Sequence, residues 1–117
     1  MAQTNTITLN QYKAIGGPAK HKFNAKQTTA DGIKFASKKE AAYYQYLKHQ
    51  RALGYVLFFL RQTPFHLPGN IKYLTDFTVF YSNGTVDFID VKGRDTPLSL
   101  TKRKMVEDIY GVQIKIV

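Results

Sequence analysis

Asp76, Asp90 and Lys92 are the residues of this chain whose types and spacing can do chemistry. Asp90 and Lys92 stand two apart near the end of Thr85-Val-Asp-Phe-Ile-Asp90-Val91-Lys92-Gly93. Side chains two apart on a strand share a face. Asp76 stands near the start of Tyr73-Leu-Thr-Asp76-Phe-Thr-Val-Phe-Tyr81. Both stretches are rich in β-branched and aromatic residues, and Ser82-Asn83-Gly84 between them is a turn signal, so a hairpin is predicted. The turn decides whether the aspartates meet. A two-residue Asn83-Gly84 loop pairs Asp76 with Val91 and turns the two acids to opposite faces. A three-residue Ser82-Asn83-Gly84 loop, with Gly84 at positive φ, pairs Tyr81 with Thr85 and sets Asp76 directly opposite Asp90.

Two opposed carboxylates repel by a few tenths to about 1 kcal/mol in a sheet. A divalent cation between them reverses that sign and takes hard oxygen ligands. With Lys92 beside them to orient a water or to meet developing negative charge, the chemistry is Mg²⁺-assisted phosphodiester hydrolysis. The plainer alternative makes Asp76 and Asp90 solvated strand-end carboxylates and Lys92 an edge residue, because one Asp-x-Lys is a weak motif.

The elements that must hold these residues can be read on either side. Ser37-Lys38-Lys39-Glu40 is a capping box, opening a helix over about residues 38–53 that Gly54 stops. Capping alone accounts for Glu40. Tyr55-Val-Leu-Phe-Phe-Leu-Arg-Gln62 is a continuous apolar run, predicted as a buried strand, with Thr63–Leu67 extending it around Pro64 before Pro68-Gly69-Asn70 turns the chain. Thr96-Pro97 opens a second helix through Leu98, Leu100, Met105, Val106 and Ile109 to Gly111, with Lys102, Arg103 and Lys104 as an exposed basic face. Val112–Val117 alternates as a last strand, and a crossover of this length lays it parallel to the Asp90 strand. Residues 1–36, with Lys13, Lys20, Lys22, Lys26 and Lys34 against Asp31, read as a basic, partly flexible arm preceding a core over 37–117.

The chain has 117 residues, enough for one core, and its 44% hydrophobic content argues for a folded domain. With no cysteine there is no disulfide, thiolate metal site or cysteine nucleophile, and a reducing compartment is expected. No apolar run approaches the roughly 18 residues that span a bilayer, and Met1–Gln11 lacks a signal-peptide pattern, so a cytoplasmic protein off the membrane is expected. The formal net charge of +9 points to a polyanionic partner, nucleic acid before an anionic membrane. His21, His49 and His66 have no metal-ligand spacing.

The order helix, three strands, helix, strand, with Asp on one strand and Asp-x-Lys on the next, resembles the PD-(D/E)xK nuclease superfamily. The nearest likeness is to its small phage-associated group and to phage-type endonuclease I and related Holliday junction resolvases. It rests on Asp31 to Phe35, Ser37 to Ala41, Asp76-Phe77 and Asp90 to Gly93, and covers about residues 22–117. The resemblance implies an α/β fold with a restriction-endonuclease-like αβββαβ core, a mixed sheet flanked by helices. It implies Asp76 and Asp90 as metal-binding acids, Lys92 as catalytic lysine, Glu40 completing the acidic site, and the Val91 carbonyl as a further metal ligand. Mg²⁺ is the implied cofactor, with Mn²⁺ able to replace it. Thr75 stands where the superfamily name has Pro, and Asp90 where Glu is frequent.

The expected function is therefore a Mg²⁺-dependent endodeoxyribonuclease, selective for Holliday junctions or other branched DNA, in phage recombination or DNA processing. Lys38, Lys39, Lys102, Arg103, Lys22 and Lys26 would hold phosphates without reading sequence. A homodimer is expected, joined through Tyr43, Tyr44 and Tyr46 or through residues 1–36. The alternative from another class is a non-catalytic basic DNA-binding accessory protein that keeps the nuclease fold. A sequence-specific endonuclease is disfavoured, since 117 residues leave little room for a base-reading insertion.

Overall fold

The computed structural model of the protein describes residues 28–91 and 96–117. Lys22, Lys26 and Lys92 lie outside the described residues. The architecture is α/β. In chain order it runs β1 (Thr28–Ala30), β2 (Ile33–Phe35), α1 (Lys38–Ala52), β3 (Val56–Leu67), β4 (Ile71–Tyr81), β5 (Val86–Asp90), α2 (Pro97–Tyr110) and β6 (Ile114–Ile116). From α1 onward this is the expected αβββαβ order. Contacts divide the chain into two compact units, one ending at Val56 and one beginning at Leu57. The boundary expected at residue 36 falls inside the first unit.

In the first unit, β1 and β2 pair antiparallel with Ala30 opposite Ile33. The connecting Asp31 and Gly32 both have positive φ, 52° and 76°, as a type I′ turn requires and as Asp-Gly favours. Ser37 caps α1, its Oγ accepting from the Glu40 N–H at 3.0 Å. The helix ends where Gly54 adopts a φ of 91°. Phe35 from β2 packs on Tyr44 of α1, with ring centroids 5.0 Å apart. Lys48 and the Tyr44 hydroxyl both donate to the Asp31 carboxylate, tying α1 to the turn.

The second unit is built on a four-stranded sheet in the order β3-β4-β5-β6. The Pro68-Gly69-Asn70 turn between neighbours β3 and β4 is too short for anything but an antiparallel pair. β4 and β5 pair antiparallel and β5 and β6 parallel, so the sheet is mixed. α2 makes the parallel connection possible. Thr96 caps it by accepting from the Ser99 N–H at 3.1 Å, Pro97 opens its first turn, and Gly111 ends it at φ 67°. Val106 of α2 packs with Phe65, Leu67, Tyr73 and Ile114, and Phe88, Met105 and Val112 close around them. No helix among the described residues is long and apolar enough to cross a membrane.

Two expectations fail here. The apolar run in β3 is not buried: Leu57 is 57% and Leu60 48% exposed. β3 is an edge strand, which also explains why it tolerates Pro64. Arg103, expected on the exposed basic face of α2, is only 8% exposed, whereas Leu98, Leu100 and Ile109 face solvent. The face of α2 that turns inward carries Arg103 and Val106, one turn apart.

β3 is also irregular. Phe58 stacks on Phe80 at 4.4 Å, while Thr63 accepts from the Thr78 hydroxyl at 2.7 Å and Phe65 meets Phe88 at 5.3 Å. Thr78, Phe80 and Phe88 share one sheet face through the β4–β5 register. Phe58 and Thr63, five apart, reach the same face only if an extra residue lies between them. Gln62, at φ 54°, is that residue and marks a bulge.

Candidate functional site

The hairpin that carries Asp76 and Asp90 uses the three-residue loop. The Tyr81 N–H donates to the Thr85 carbonyl at 2.9 Å, the Gly84 N–H to the Tyr81 carbonyl at 3.0 Å, and Gly84 has φ 92°. Asn83 secures the loop by accepting from the Thr85 N–H at 3.0 Å and the Thr85 hydroxyl at 2.7 Å. The resulting register pairs Phe80 with Val86, Thr78 with Phe88 and Phe77 with Ile89. Its next step sets Asp76 opposite Asp90.

At that step the regular ladder stops and the carboxylates take its place. In an antiparallel pair the mutually bonded positions alternate. With Tyr81 and Thr85 bonded, the series runs through Phe77 and Ile89 and would next join Thr75 with Val91. Instead, the Val91 N–H donates to Asp76 Oδ2 at 2.8 Å, and the Asp76 N–H donates to Asp90 Oδ1 at 3.0 Å. Asp76 thus satisfies the Val91 N–H that the interrupted ladder would leave unmet, and Asp90 accepts from a main-chain N–H of β4. β4 is irregular at the same place. Tyr73 lies in the cluster with Phe88 and Ile114, on the face of Thr78, although residues five apart on a regular strand face oppositely.

Asp90 is the buried member, 1% exposed, and Asp76 is half-buried. The Tyr73 hydroxyl donates to Asp90 Oδ2. Burial, reinforced by the bond to Asp90 and by its charge, pushes the Tyr73 phenol above its ordinary value, while hydrogen bonding and charge from Arg103 pull the other way. The main-chain carbonyl of Asp90 accepts from the Val117 N–H at 3.0 Å, so β6 braces the end of β5. Sequence reasoning did not connect Tyr73 with the acids and gave Arg103 another role, because neither stands at a recognisable spacing from them.

The other expected residues fall as follows. Glu40 belongs to the first unit, on the first turn of α1, and is 5% exposed. Val91 is half-buried at the end of β5. Asp87 accepts from the Tyr81 hydroxyl at 2.9 Å and from Lys115 at 3.0 Å. Lys38 and Lys39 are exposed on the first turn of α1, and Lys102 is half-buried on α2. Tyr43, Tyr44 and Tyr46 are half-buried, Tyr43 and Tyr46 pairing at 5.3 Å.

Among the described residues no group of three or more His, Cys, Asp or Glu is placed to hold a metal ion. The structure brings two acids together, Asp76 and Asp90. A pair of carboxylates on adjacent strands, backed by N–H and O–H donors, still suits Mg²⁺, which keeps several of its waters and binds through one or two carboxylates plus substrate phosphate. It does not suit Zn²⁺, whose structural sites close with four ligands.

A family model described as "Protein of unknown function (DUF1064)" matches residues 20–116. No curated protein and no solved structure matches the chain.

Proposed function

The chain belongs to the DUF1064 family, and we propose that it is a Mg²⁺-dependent endodeoxyribonuclease acting on branched DNA. The observation that carries this is the opposition of Asp76 and Asp90 across β4 and β5, at the point where the ladder gives way to the carboxylates. A structural sequence has other ways to satisfy two N–H groups that do not set two negative charges against each other. A hard divalent cation bound there supplies Lewis-acid polarisation of a phosphate and activation of a water. Asp76 and Asp90 hold that ion. Lys92, two residues beyond Asp90 in the chain, offers a cation for the negative charge that develops on the phosphate. The Val91 carbonyl is a further oxygen donor that the resemblance to PD-(D/E)xK nucleases assigns. Lys38, Lys39 and Lys102, on a chain of net charge +9, hold phosphates and orient the substrate. Lys22 and Lys26 extend that basic set. Arg103 leaves it, because a buried guanidinium cannot reach a phosphate.

The reciprocal N–H contacts favour a second reading. They give both aspartates structural work that a non-catalytic DNA-binding protein of the same fold would also keep. One panel separates the two. The purified protein is incubated with matched duplex, nicked, flapped and four-way DNA in Mg²⁺, Mn²⁺ or EDTA. Cutting of branched DNA in either metal and none in EDTA is expected. Tight binding to every substrate without cleavage in any metal would favour the accessory protein.

A further inference from the structure

Asp90 is held by both of its oxygens from the same strand. Oδ1 accepts from the Asp76 N–H at 3.0 Å and Oδ2 accepts from the Tyr73 hydroxyl. A carboxylate pinned at both ends cannot rotate about its last bond. Tyr73 is itself fixed: it is 6% exposed and packs in the cluster with Phe65, Val106 and Ile114. Arg103, one helical turn before Val106 and 8% exposed, shares the inward face of α2 with it, and its charge acts on the Tyr73 phenol. Three polar side chains from β4, β5 and α2 therefore meet inside an otherwise apolar cluster. A carboxylate this buried needs more donors than the Asp76 N–H alone, and Tyr73 supplies the second. A buried Tyr hydroxyl and a buried Arg are costly to place unless their hydrogen bonds serve a purpose.

We propose that Tyr73, backed by Arg103, is a positioning residue of the Asp76–Asp90 pair, fixing the orientation in which the buried carboxylate meets a divalent cation. The proposal rests on the metal reading given above. Donors behind a ligating carboxylate set its direction, and their loss typically weakens metal binding ~10–100-fold.

The test is Mn²⁺ affinity of the full chain, read from loss of the free-ion electron paramagnetic resonance signal. Wild type, Tyr73→Phe and Tyr110→Phe are compared, each checked for folding by circular dichroism. Tyr110 is the control because its phenol donates to the His66 carbonyl at 2.6 Å, away from the acids. Tyr73→Phe is expected to weaken Mn²⁺ binding by about tenfold or more, with Tyr110→Phe unchanged. Equal affinity in a folded Tyr73→Phe protein overturns the positioning role and leaves the metal site standing. A wild-type protein that binds no Mn²⁺ removes the metal site and this proposal with it. Should Tyr73→Phe fail to fold, the unmutated protein decides. With tyrosines labelled at the ring carbon bearing oxygen, Mg²⁺ should shift the Tyr73 resonance and not that of Tyr110. An unmoved Tyr73 resonance in a protein that binds Mg²⁺ overturns the proposal.

Discussion

Asp90 and Glu107 show how single acids in this chain complete the main-chain hydrogen bonding. The Glu107 carboxylate accepts from the Ile114 N–H at 2.9 Å where β6 begins, and Ile114 is buried. Glu107→Ala leaves that donor unmet and should lower stability by roughly 1–3 kcal/mol, whereas Glu107→Gln keeps an acceptor and should lose much less. Urea unfolding of the two variants, with unchanged slope, checks the difference. Such roles were hard to see beforehand. The hydropathy of α2 drew attention to Leu98, Leu100 and Ile109, which the structure exposes. Its inward face carries Arg103 beside Val106, and the half-buried Glu107 is placed by the N–H it meets. No apolar periodicity records a polar residue buried to satisfy a particular donor. The opposition of Asp76 and Asp90 was legible only as one of two registers, because it depends on whether the loop has two residues or three.

Most turns and caps, by contrast, were legible, since their chemistry is local. Ser37, Thr96 and Gly111 act as the sequence suggests, and Gly84 takes the positive φ that the three-residue loop demands. The Asp31-Gly32 hairpin lay inside the stretch read as a basic, partly flexible arm. β3 misled because a run of apolar residues records composition, and an edge position and a bulge at Gln62 depend on neighbours far along the chain. The β1–β2 turn allows a clean electrostatic test. The hydrogen bond from Lys48 draws the Asp31 carboxyl below its ordinary 3.8, against a smaller opposing effect of burial and with help from Tyr44. A carboxyl lowered in the folded state stabilises above its unfolded pKa, and the benefit is lost as pH falls through the folded value. Asp31→Asn keeps a residue suited to positive φ and removes only the charge. It should lower the melting temperature near neutral pH by a small amount, because the pair is exposed. The gap to wild type should close as pH drops below 3.8. Thermal melts from neutral pH down to about pH 3 read this directly, and a gap that does not narrow in acid would contradict it.

On the proposed function, the charge of +9 on 117 residues would govern how the molecule as a whole meets DNA. Binding that rests on phosphates falls steeply with salt, and each lost contact reduces the slope of log K against log salt by about one. Lys38→Ala removes an exposed cation and should weaken binding to all sequences alike with that change of slope. Fluorescence anisotropy at several salt concentrations measures it. A four-way junction takes two cuts in strands related by approximate two-fold symmetry, and each chain carries one Asp76–Asp90 pair. A symmetric dimer is therefore expected on branched DNA. Sedimentation showing one chain per junction would contradict the dimer and leave the carboxylate pair untouched.

The most direct measurement of the central claim is cleavage by Asp76→Asn beside its DNA affinity. Asp76 is the more accessible of the two acids, so its amide variant disturbs the fold least. With Mg²⁺ and a four-way junction, the wild type should cut and Asp76→Asn should not. The variant should bind the junction as tightly or more tightly, having lost a negative charge near phosphate. Cleavage by Asp76→Asn at the wild-type rate would contradict the account, as would a wild type that cuts no DNA in Mg²⁺ or Mn²⁺.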